Sequence, residues 1–112
     1  MSIDWSKMKT AAALAAEQAM ADYEAWKVDR QGRVDALVVE VDGLAFDGNE
    51  ISTRRMADMI AGADDLADTT EWTLADNRVV VVTVRQLKQA LRLSTASRTA
   101  IWNEDRPPQP AA

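Results

Sequence analysis

On either side of Asp42-Gly43 the apolar residues fall at every second position. Val39 and Val41 come before the pair and Leu44 and Phe46 after it, alternating with Glu40, Asp42, Ala45 and Asp47. A period of two puts one set of side chains on one face of a strand. An Asp-Gly link between two such runs suits a tight hairpin, whose turn requires positive φ at both positions. The remaining core must be assembled around that hairpin, because 112 residues are enough for one ordinary domain and too few for two.

Upstream the pattern is different. From Asp4 to about Arg30 nearly every residue is a good helix former, with alanine foremost. Asp4 is placed to cap the start, and Lys27 and Arg30 fall in the last turn before Gly32. One long helix is predicted. At about 1.5 Å per residue it spans about 40 Å, whereas a domain of about 100 residues has a radius of gyration of about 13 Å. The rest of the chain can hardly cover it.

Downstream, Gly48-Asn49-Glu50 leads to Ser52, a candidate cap for a helix with Met56, Met59, Ile60 and Ala63 on one face. After an acidic link from Asp64 to Asp68, Trp72 and Leu74 precede the turn residues Ala75-Asp76-Asn77, and Val79 to Val82 follow. Trp72 reads as core. Thr83 and Gln86 have the spacing of a capping box, opening a helix that turns Val84, Leu87, Ala90 and Leu91 inward. Strand, strand, helix therefore occurs twice. The expected class is α+β: a long N-terminal helix, then a β-β-α-β-β-α unit forming one four-stranded, mostly antiparallel sheet with helices on one face. Residues 1–33 form the helix, for attachment or oligomerisation, and residues 34–103 form the α+β domain. Residues 104–112, with Pro107, Pro108 and Pro110, form an extended tail of a kind that is normally disordered.

The composition argues against most chemistry. Cysteine and histidine are both absent, which removes thiol nucleophiles, disulfides, cysteine-based metal sites and the commonest general base near neutral pH. Ser52 and Thr83 would need a lysine to activate them, and capping explains both. Gly32, Gly43, Gly48 and Gly62 are dispersed, so no phosphate-binding loop is present. Asp47-Gly48-Asn49-Glu50 begins like a calcium loop, but Ser52 stands where the sixth-position glycine belongs. Asp64, Asp65, Asp68 and Glu71 could hold magnesium or act as an acid–base pair, yet they lie in a linker with no apolar cleft implied and read as a solvated link. No enzyme activity, cofactor or metal is expected. The net charge of −5, with scattered basic residues, argues against nucleic acid or an anionic membrane as partner. The longest nearly apolar run, Ala11 to Ala16, is far short of the roughly 20 residues a membrane span requires, and with Asp4, Lys7 and Lys9 ahead of it the start does not read as a secretory signal.

Two apolar surfaces are left over. Trp5 and Trp26 lie three heptads apart and share a helix face with Met8, Ala12, Ala15 and Ala19, interrupted by Asp22. This small-residue seam invites close packing, against the last helix with its Ser94, Ala96, Ser97 and Ala100 or against copies of itself. In the second hairpin, Val80 and Val82 make the face opposite the core apolar as well. At about 25 cal/mol per Å², leaving both in water forgoes a few kcal/mol, so the first helix or another subunit should cover them.

The stretch from Val41-Asp42-Gly43-Leu44, through Phe46-Asp47, Ser52 and Met56, to Trp72, Ala75-Asp76-Asn77, Leu87 and Trp102 resembles a small domain of unknown function found in tailed phages and prophages. That domain often belongs to tail-fibre or tail-fibre-assembly proteins. The resemblance covers roughly residues 36 to 102 and brings no catalytic residues with it. It implies a tail-associated structural protein that docks other tail proteins in the fibre or baseplate region, located in the virion. The alternatives are a tail-fibre assembly chaperone, confined to the host cytoplasm during assembly, and a small acidic inhibitor of a host protein.

Overall fold

The computed structural model describes residues 10–104 and 106–110. Trp5, Met8 and the expected Asp4 cap lie outside them. The first helix, α1, runs over Ala11–Asp35, with the Thr10 side chain accepting from the Ala13 amide at 3.0 Å as its N-cap. It continues through Gly32 rather than ending before it. A glycine inside a helix costs about 1 kcal/mol, and the extra turn is offset by burial of Val34.

Strands β1 (Val38–Val41) and β2 (Leu44–Asp47) form the first hairpin, pairing Val39 with Phe46 and Val41 with Leu44. Asp42 and Gly43 have φ of 52° and 78°, as the tight turn requires. Helix α2 (Glu50–Gly62) follows, and its cap is Asn49, whose side chain accepts from the Ser52 amide at 2.8 Å. The predicted cap, Ser52, is instead the residue that donates to it. Strands β3 (Thr69–Thr73) and β4 (Val79–Thr83) make the second hairpin, and α3 (Val84–Asn103) opens on the predicted Thr83–Gln86 capping box.

The four strands do not form one sheet. They form two antiparallel hairpins, bridged by a backbone hydrogen bond from Ala75 N–H to Ala45 C=O at 2.9 Å. The chain leaves β3 at Thr73, and Leu74 and Ala75, already in the turn, approach β2 in place of a strand. Packing of α3 on both β1 and β4 does much of the joining that a continuous ladder would have done. Val39, Val41 and Phe46 from the first hairpin, Leu74 and Val82 from the second, Met56 from α2, and Leu87 and Ala90 from α3 make one core.

The second hairpin also reverses the expected assignment of faces. Trp72 pairs with Val80 and Thr70 with Val82, on the inner side; Val82 is 1% exposed and Val80 packs against the core with Trp72. The outward valines are Val79 and Val81, at 61% and 66% exposure. Val80 and Val82 are therefore not a surplus surface. Four consecutive valines carry no alternation, so the turn from Leu74 to Arg78 decides which pair faces in.

Candidate protein-docking surface

Alanine propensity makes α1 a helix along its whole length, but packing serves only its C-terminal half. There Tyr23, Trp26, Lys27 and Arg30 are half-buried, and Val34 is buried. The Arg30 guanidinium lies between two indoles, 4.5 Å from the centre of the Trp26 ring and 3.5 Å from that of Trp102 on α3. A delocalised cation over two aromatic faces is attracted by both ring quadrupoles. Its Nε is buried and accepted by no oxygen among the described residues.

The end of the chain closes over the same cluster. Trp26 Nε1 donates to the Glu104 carbonyl at 3.2 Å, and Arg33 pairs with the Glu104 carboxylate at 2.6 Å. The Arg106 guanidinium sits 5.5 Å from the Trp26 ring centre and donates to the Trp102 carbonyl at 3.4 Å. Residues 106–110 lie outside any helix or strand, and Arg106 at their start is anchored on α1. The sequence reading missed this clasp. Its partners are separated by more than 70 residues and leave no local signal.

From Ala11 to Asp22 every residue of α1 is exposed. Ala12, Ala15 and Ala19 continue the line of Trp26, as the heptad spacing predicted, but they extend past the packed part and touch no body element closely enough to be shielded. The small residues of α3 do not receive them. Ser94 is buried against Gly48, whereas Ala96 and Ala100 are exposed. With α1 projecting from the body, the molecule measures 80 × 24 × 22 Å.

The candidate chemical residues are accounted for locally. Asp68 accepts from the Asp64 and Asp65 amides at 3.0 and 3.1 Å, and Asp65 accepts from the Ala67 amide at 2.8 Å, so these carboxylates shape the turn before β3. Among the described residues no group of three or more acidic side chains converges as a metal site. Asp47, Ser52, Arg55, Glu71, Trp72 and Thr73 line a shallow cleft of about 290 Å³, at the lower edge of ligand-pocket sizes. No helix among the described residues is long and apolar enough to cross a membrane. No protein-family model, curated protein or solved structure matches the chain.

Proposed function

We propose that this chain is a docking component of a phage tail, in the fibre or baseplate region, in which α1 is an arm that engages neighbouring tail proteins and the α+β body is its rigid seat. The observation that carries the reading is the arm itself, exposed on every side from Ala11 to Asp22. Full burial of a side chain such as Leu14 or Met20 is worth about 1.5–3 kcal/mol, and in the isolated chain most of that gain is unused. The face of Ala12, Ala15 and Ala19 has no bulky side chain, so another helix can approach its backbone closely. The resemblance to phage tail-associated domains supplies the setting.

Mass spectrometry of purified particles tests the setting, and a photo-crosslinking residue at position 15 tests the arm. The chain should be present in mature particles and crosslink to other tail proteins. Presence in infected cells with absence from particles would make it an assembly chaperone. Absence of any tail-protein crosslink in either sample would sink the docking reading.

A further inference from the structure

We propose that two copies of this chain dock by laying the outer face of α1 of one copy against the outer face of α3 of the other. At about 100° per residue, Leu14, Ala21 and Val28 follow one line along α1, with Glu17 and Glu24 beside it and Met20 just beyond. The arc centres on Leu14, Ala21 and Val28, opposite the face that carries Trp26, Arg30 and Val34 into contact with the body, and Met20 lies at its border with that face. Its large apolar members, Leu14, Met20 and Val28, are 53%, 47% and 73% exposed. Such a stripe is half of an interface.

The other half is on α3. Arg85, Lys88 and Arg92 share the face opposite buried Leu87, Ala90 and Ser94, and none of the three makes an ion pair among the described residues. Leu66 and Leu93 flank them, both partly exposed. In a chain of net charge −5, this is a local reversal of sign. The spacing matches too: Glu17 to Glu24 and Arg85 to Arg92 are each seven residues, about 10.5 Å along a helix. Laid side by side, the two acids meet the two arginines in step while the leucines and Val28 fill between them.

Within one chain the faces cannot meet. Helices α1 and α3 already pack together through Trp26, Arg30 and Trp102, and Trp102 lies ten residues, about 15 Å, beyond Arg92 along α3. Glu17 and Glu24 are both engaged within the chain, Glu24 with Lys27 at 2.9 Å, but both are exposed and such contacts are readily exchanged for intermolecular ones. The occupant best matched in sign and spacing is therefore a second copy. The inference rests on reading α1 as a docking arm and names the partner of its outer face, leaving the alanine face for other proteins.

Sedimentation velocity of the full chain tests it, at about 50 mM and about 500 mM salt. Concentration-dependent association at low salt, weakened at high salt, is expected. The double variants Glu17→Lys with Glu24→Lys, and Arg85→Glu with Arg92→Glu, should each weaken self-association at least tenfold while keeping the parent's circular dichroism. Mixing them should restore association, because each variant's altered face then meets its complement. A parent monomeric in every condition would overturn the proposal, as would variants that associate like the parent, or a mixture that stays monomeric. Failure to find the chain in particles would sink the tail setting and leave these results standing.

Discussion

Gly48 lies against Ser94 so closely that a Cβ at position 48 would stand 2.7 Å from the Ser94 Oγ and 3.2 Å from its Cβ. The contact joins the end of the first hairpin to the middle of α3, and the Gly48 amide is held there by the Leu37 carbonyl at 2.7 Å. Gly48→Ala should therefore cost about 1–3 kcal/mol in urea denaturation, the usual range for overpacking. Ser94→Gly in the same chain should recover part of it. The Ser94 hydroxyl is itself buried without a hydrogen-bond partner among the described residues, so Ser94→Ala alone should leave stability unchanged or raise it by about 1 kcal/mol. A clear loss in Ser94→Ala would show that the hydroxyl contributes to the fold.

The seat of the arm depends on Arg30. Stacking of a cation on an aromatic face is worth about 0.5–2 kcal/mol, more when it is desolvated, and Arg30 stacks on two rings. Arg30→Ala should speed hydrogen exchange of the amides from Tyr23 to Asp35 and leave those of β1 and β2 unchanged. Arg30→Lys should give an intermediate effect, since a lysine keeps the charge and loses the plane. Uniform loss of protection across the whole chain would mean that the stack holds the body together rather than the arm to the body.

Asp76 is a carboxylate of the second hairpin whose charged form is favoured in the fold. The backbone N–H of Arg78, donating at 3.0 Å, and then the Arg78 side chain at 2.7 Å hold its carboxyl below the usual carboxylate value. A lowered folded-state value means that the charged form favours the fold. The contribution is therefore present above the unfolded value of about 3.9 and is lost as pH falls through the lower folded one. Asp76→Asn should be less stable than the parent at about pH 7, and the two should converge as pH drops below about 4. A gap that does not narrow as pH falls below about 4 would assign it to something other than the charge.

Much of this architecture was legible because local chemistry decides it. Asp42-Gly43 admits positive φ at both positions, and Thr83 with Gln86 satisfies each other's backbone amides at 3.1 and 2.9 Å, so the spacing alone identified each. Where two solutions were locally equal, the reading failed. Asn49 and Ser52 are both good caps three residues apart, and only the path of the chain after Gly48 selects Asn49. Val79 to Val82 offered two equivalent face assignments, which the register with Trp72 resolves. The single sheet failed for a related reason, since nothing local in Leu74 and Ala75 says that a turn will occupy the edge of β2. On α1 the spacing picked out the face of Trp26, but the alanines hid how much of that face would meet the body. The distinction rests on Arg30 finding Trp102, a contact that spans most of the chain.

The clasp has a geometrical consequence. About 18 Å of helix separate Ala11 from Tyr23, the first half-buried residue, at 1.5 Å per residue. A tilt of about 10° at the Trp26–Arg30–Trp102 stack, about 22–28 Å from Ala11, displaces Ala11 by about 4–5 Å, enough to move a charged side chain out of ion-pair range. The stack thus works as a sight as well as a fastening, and the arm's bearing is set by two indoles and the guanidinium between them.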